Sequence, residues 1–183
     1  MYEIRVHGRG GQGVKMTSKV LGTAAELSGL EAQDFAVYGA ERRGAPVASF
    51  CRISKSPIMA KGYIFEPDAV IVLDPTVGAG GMLKGLKKGG TVLVNAAENI
   101  PGFDGAVFID ATAIALKEIG KPIPDTAIVG AFVKLTGIFP IETLLRAVRI
   151  ELEEAGHSKE VEGNQKACRK CWDAATEGAK VKI

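Results

Sequence analysis

The sequence holds little cysteine, little net charge and no long apolar run, and each shortage closes off a class of protein. Three cysteines, Cys51, Cys168 and Cys171, cannot build a disulfide framework, and their odd number suits a reducing compartment. Nothing resembles the repeated cysteine runs that hold iron–sulfur clusters. Cys168-x-x-Cys171 has no second cysteine pair and no histidine pair beside it to complete a metal shell; at i and i+3 on one helix face it reads as buried packing. A net charge of +2 is too small to argue for nucleic acid or an anionic membrane. No segment reaches the roughly 18 uninterrupted apolar residues of a membrane span, and the N-terminus lacks the basic-then-apolar order of a signal peptide. A cytoplasmic chain is therefore expected. The only histidines, His7 and His157, form no evident catalytic pair, and no acid/base constellation appears elsewhere.

What remains is a globular chain of one domain's length. Of 183 residues, 46% are hydrophobic, enough to build a sizeable core. No Pro-, Ser- or Gly-rich linker divides residues 1–183, and no period repeats, which predicts a single domain.

The pattern predicts an α/β fold: a Rossmann-like, mostly parallel sheet with helices on both faces and helices at the C-terminal end. Strand signals fall at Tyr2 to His7, Glu31 to Val37, Val47 to Ile53, Ala69 to Leu73, Thr91 to Asn95 and Ala106 to Ile109. The run Ala69 to Leu73 is apolar at every position, as in a strand buried on both faces. Helical spacing covers Gln12 to Ser28, Met82 to Leu86, Ala111 to Glu118, Ala127 to Leu135, Ile141 to Glu154 and Val161 to Ala175.

The first candidate site is Gly8-Arg9-Gly10-Gly11-Gln12-Gly13, between a strand and a helix. Glycines let the backbone turn and approach a ligand closely, and the free N–H groups at a helix start attract an anion. The spacing fits G-x-G-x-x-G, and Asp34 falls about 20 residues on, where a ribose-binding acid belongs in a dinucleotide fold. Taken alone, the motif leaves a nicotinamide-binding protein open.

The second is the loop Tyr38-Gly39-Ala40-Glu41-Arg42-Arg43-Gly44-Ala45-Pro46. Arg42 and Arg43 beside Glu41 offer planar donor forks for a phosphate or carboxylate. A Glu41–arginine pair that only shapes the loop is the competing reading. Following the second strand of a doubly wound sheet, this loop can face the same crevice as the glycine loop.

These two loops, with Val47, Arg52-Ile53-Ser54, Pro67-Asp68 and Gly89-Gly90 leading to Asn95, resemble in order the gamma subunit of 2-oxoacid:ferredoxin oxidoreductases. The Y-G-x-E-R-x-G-A-P loop is more similar to pyruvate and branched-chain members than to 2-oxoglutarate or indolepyruvate members. The resemblance covers nearly the whole chain. It implies oxidative decarboxylation of a 2-oxoacid with coenzyme A as cosubstrate and electrons passed to ferredoxin, or the reverse. It also implies alpha, beta and delta partner subunits. Thiamine diphosphate and its magnesium would sit in the alpha and beta chains, and the [4Fe–4S] clusters in beta and delta. This chain would bind no cofactor or metal alone and supply no catalytic residue. Pro124-Asp125-Thr126-Ala127 departs from the Asn-Met pair of relatives, so no role is carried onto it.

The residues expected to bind a ligand or a partner chain are thus Gly8, Arg9, Gly10, Gly11, Gln12, Gly13, Glu41, Arg42, Arg43, Gly44 and Asn95. Asn95 ends a buried strand where ligands bind in open sheets, or else caps the next turn. His7 reads as a half-buried support of the glycine loop, Asn164 as a helix cap, and Asp74-Pro75 as a strand terminator with a carboxylate at the sheet edge. A purely structural subunit without a ligand is the third reading.

Overall fold

The computed structural model describes residues 1–37 and 44–175. Its six strands are β1 (Tyr2–Arg9), β2 (Glu31–Val37), β3 (Pro46–Ser54), β4 (Ala69–Val72), β5 (Thr91–Asn95) and β6 (Val107–Ile109). They form one sheet in the order β2-β3-β1-β4-β5-β6. β1, β4, β5 and β6 pair parallel, whereas β3 runs antiparallel to both β1 and β2. The reversal follows from chain length. Residues 38–45, which join β2 to β3, are too few for the crossover of about a dozen residues that a parallel pair needs. β2 and β3 therefore form an edge hairpin, with Glu31 opposite Ser54 and Val37 opposite Ala48.

The helices are α1 (Val14–Leu27), α2 (Ala79–Met82), α3 (Ala111–Ile119), α4 (Asp125–Thr136), α5 (Ile141–Glu154) and α6 (Val161–Ala174). Helix lies on both faces, but unequally. Strand alternation sends Ile4 and Val6 of β1, Cys51 and Ile53 of β3, and Ile71 of β4 into the core shared with α1, α3, α4, α5 and α6. The opposite side chains, Val70, Val72, Val92 and Val94, pack on Met82 of α2 and on Phe103. Toward β1 and β3 that second face is held by arginines. Buried Arg5 donates to the carbonyls of Met82 (2.7 Å) and Lys84 (2.6 Å). Arg52 donates to Glu3 Oε1 (3.0 Å), Gln33 Oε1 (2.8 Å) and Gly62 O (2.9 Å).

Two local departures from the sequence pattern have clear causes. The helix expected over Met82 to Leu86 ends at Met82, because Gly85 takes φ +78° with its missing Cβ 2.1 Å from Phe65 O. Asn164 lies inside α6 rather than capping it: its amide donates to Glu160 O (2.8 Å), and its Oδ1 accepts from Thr126 Oγ1 (2.6 Å) on α4. Beside that tie α4 and α6 come very close, since a Cβ on Gly130 would lie 1.9 Å from Cys168 O.

Candidate functional site

The glycine loop joins β1 to α1 at the C-terminal edge of the parallel strands, where open α/β sheets bind ligands. β1 runs two residues further than its pattern predicts. Gly8 and Arg9 are ladder residues opposite Val47 and Pro46, and Gly10 extends the ladder by donating to Ala45 O (2.9 Å). The turn itself is confined to residues 10–13. Gly11 (φ +93°) and Gly13 (φ +75°) adopt the left-handed conformation that only glycine takes without strain. Gly8 answers a different demand: its missing Cβ would lie 2.9 Å from Val14 Cγ2 and 3.1 Å from Leu73 Cβ.

Gln12, the unusual member of the motif, locks the loop. Its Oε1 accepts the Arg9 N–H (2.7 Å), and its Nε2 donates to Asp74 Oδ2 (2.8 Å) just beyond β4. Asp74 also accepts from the Thr76 N–H (2.9 Å) and hydroxyl (2.5 Å) and faces Arg9 Nε at 3.4 Å. Burial alone would raise this carboxyl. The hydrogen bonds from Thr76 and Gln12 and the Arg9 charge outweigh it and hold the group below its ordinary value. Asp74 thus anchors the loop as well as ending a strand.

Arg9 reaches across the turn. Its guanidinium donates to Thr76 Oγ1 (2.9 Å from Nη2, 3.1 Å from Nε) and to Gly44 O (3.0 Å), and it remains on the surface. Gly44 in turn donates its N–H to Gly10 O (3.1 Å). The described end of the arginine loop therefore sits on the glycine loop. Glu41, Arg42 and Arg43 lie outside the described residues.

Asn95 is placed at the same sheet edge but spends its amide within the protein. Nδ2 donates to Leu73 O (2.9 Å) and Thr112 Oγ1 (2.8 Å), while Oδ1 accepts the Thr112 N–H (3.1 Å), joining β5 to the start of α3. His7 is half-buried with Nε2 unpartnered. Burial, then the Arg5 charge, push it down to about 4, so it is a neutral imidazole near pH 7.

Asp34 corrects the dinucleotide expectation. β3 intervenes between β1 and β2, and Asp34 lies against Gly22 in the middle of α1, 3.4 Å from its missing Cβ, far along the helix from the glycine loop. No ribose seated on that loop has Asp34 as its partner.

Sequence reasoning left Asp125 without a role. It opens α4, and its carboxyl packs on Gly13: a Cβ there would lie 2.1 Å from Asp125 Oδ2. The Thr17 hydroxyl of α1 shares its one hydrogen between Asp125 O and Gly13 O, each at 3.2 Å, which ties the starts of both helices together. Burial pushes the carboxyl up to about 7, although the Thr126 N–H donates to it. No sequence signal pairs residues 112 positions apart, and only the final glycine of the motif hints that something must fit there.

The cysteines do not fit a cluster. Cys51 is on β3 and the other two on α6, all are buried, and burial raises each thiol, Cys171 to about 12, away from the thiolate that binds iron. Among the described residues, no three His, Cys, Asp or Glu side chains converge as a metal site, and no helix is long and apolar enough to cross a membrane.

Comparison with known proteins agrees with this architecture. The chain is 41% identical over 179 residues to the "Pyruvate/ketoisovalerate oxidoreductases common subunit gamma" of Thermococcus kodakarensis, covering 93% of this chain and 97% of that one. It is 40% identical to the pyruvate synthase subunit PorC of Methanothermobacter thermautotrophicus, over 94% and 95% of the two chains. The crystal structure of pyruvate oxidoreductase subunit PORC from Thermotoga maritima superposes with a TM-score of 0.80 at 36% identity, over 94% and 95% of the chains. A 2-oxoglutarate:ferredoxin oxidoreductase from Magnetococcus marinus shares the fold, with a TM-score of 0.75 at 19% identity over 99% of this chain and 33% of that longer one. The family model for pyruvate ferredoxin/flavodoxin oxidoreductase matches residues 3–174, and the chain belongs to that family as a gamma-type subunit.

Proposed function

We propose that this chain works in a cytoplasmic pyruvate- or branched-chain-type 2-oxoacid:ferredoxin oxidoreductase, where it seats the anionic end of coenzyme A rather than the 2-oxoacid. The reaction joins a 2-oxoacid and coenzyme A into acyl-CoA and CO2 with reduction of ferredoxin, or runs in reverse. Its partners are the alpha, beta and delta subunits, which carry thiamine diphosphate, magnesium and the [4Fe–4S] clusters. The observation that carries this reading is the Gly44–Gly10 hydrogen bond, which brings the end of the basic loop onto the glycine turn beside Arg9. Guanidinium groups and backbone N–H donors at a helix start suit a diphosphate. The name of the T. kodakarensis relative, a gamma subunit common to pyruvate and ketoisovalerate enzymes, favours a substrate pocket in other chains.

Co-purification of the tagged chain should bring down thiamine- and iron-bearing partners, and the chain alone should be colourless and inactive toward 2-oxoacids. In the complex, replacing Arg42 and Arg43 with Ala should raise the KM for coenzyme A while the decarboxylating half-reaction persists. Each lost charge-assisted contact corresponds to about 1.5–3 kcal/mol. Dissociation of the complex in gel filtration would instead favour an interface role for the loop, and unchanged behaviour in both measurements would rule out either role.

A further inference from the structure

The floor of the glycine loop holds an acid that the family motif does not include. Asp125 lies against Gly13, the residue that turns the loop into α1. The first turn of α1 has no acidic residue, and Gly13 provides no side-chain cap, so Asp125 is the carboxyl placed at the helix's positive end. The carboxyl lies deep, while the residue as a whole is only partly buried.

We infer that Asp125 is a positioning residue that opposes anion binding on the glycine loop: ionised, it repels an anionic group seated on the far side of Gly13, and protonated, it permits that group to bind. This rests on the proposal that the loop seats the anionic end of coenzyme A.

The electrostatics around Asp125 set its balance. Burial raises the carboxyl to about 7, and Glu160, the N-cap of α6, pushes in the same direction. The Thr126 N–H and the N-terminal ends of α1 and α4 favour ionisation. Glu160 is itself held by Lys121 Nζ (2.6 Å) and His157 Nδ1 (3.6 Å), so it stays charged. Asp125 therefore changes charge near neutral pH, directly beneath the loop.

The test uses the reconstituted complex, with the KM for coenzyme A and kcat measured from pH 6 to 9 for the wild type, Asp125→Asn and Arg9→Ala. The acid groups of coenzyme A titrate alike in every variant, so the comparison isolates the protein. Asp125→Asn should bind coenzyme A about threefold to tenfold more tightly than the wild type at pH 8.5 and equally at pH 6, with kcat moving less than KM. A loss of packing alone does not make the ratio of wild-type to variant KM grow with pH. His157→Gln should leave the wild-type pH profile in place. A constant ratio of wild-type to Asp125→Asn KM across the range, or a raised KM in the variant, overturns the inference. If Asp125→Asn fails to assemble, Asp125→Ser keeps an acceptor for the Thr126 N–H and is read in the same way. A raised KM in Arg9→Ala with no pH effect of Asp125→Asn sinks this inference but leaves the loop reading standing. An unchanged KM both in Arg9→Ala and in the variant with Arg42 and Arg43 replaced by Ala overturns both.

Discussion

Within the motif, the glycines are not equivalent, and their differences are measurable. Gly11 needs a left-handed backbone, whereas Gly10 does not and continues the ladder toward Ala45. Gly11→Val should therefore cost about 1–3 kcal/mol of stability, and Gly10→Val distinctly less, read as a difference in thermal midpoint between the two variants. Gly13→Ala combines a strained φ with a collision against Asp125, so it should be the most damaging of the three. Asp125 adds a pH signature to stability. Its carboxyl is raised from the ordinary 3.8 to about 7, so between roughly pH 4 and 7 the folded state binds more protons than the unfolded one. Stability then falls as pH rises through that window. Asp125→Asn should flatten this slope in thermal melts from pH 4.5 to 8, and an unchanged slope would assign the proton uptake to another group. Gln12 and the glycines were legible in the sequence because the motif is local. Asp74 was legible as a carboxylate at the sheet edge but not as a partner of Gln12, and Asp125 was not legible at all, because they reach the loop from beyond β4 and from α4 and such contacts leave no trace in residue spacing.

At the level of elements, the sequence pattern gives the positions of strands and helices well and their mutual directions poorly. Glu31–Val37, Thr91–Asn95 and Ile141–Glu154 fall where the sequence pattern places them, since a short apolar run between turns and helical spacing of apolar residues are local signatures. The reversed β3 and the unequal helical layers depend on how connections fold back, which periodicity does not encode. Packing between elements is equally hidden. Nothing in the sequence marks Gly130 as the point where α4 meets α6, yet Gly130→Ala would place a methyl 1.9 Å from Cys168 O and force the helices apart. A loss of about 1–3 kcal/mol is expected, with a thermal midpoint lowered by several degrees. Cys168 packs at this contact and Cys171, one turn on, is buried in the same core, as their helical spacing suggests, so both thiols should resist alkylation until the chain unfolds.

For the whole molecule, the sheet is insulated by two different means. The long helices bury one face through a continuous apolar core, so that half of the fold is expected to resist local opening. On the second face near β1 and β3, charged side chains fasten irregular backbone: Arg5 to the carbonyls of residues 82 and 84, and Arg52 to that of Gly62. Arg5 is 8% exposed, its burial lowers the guanidinium below its ordinary value, and its Nε has no partner, so the group persists only through the carbonyls it satisfies. Removing it leaves the buried Met82 carbonyl unpaired, at about 1–3 kcal/mol. Arg5→Met preserves much of the stem's volume while deleting the donors. In hydrogen exchange, this variant should lose protection in residues 62–86 while α4 and α6 keep theirs, because the two faces share the sheet but not their fastenings. Uniform loss of protection across both faces would show instead that the molecule opens as one cooperative unit.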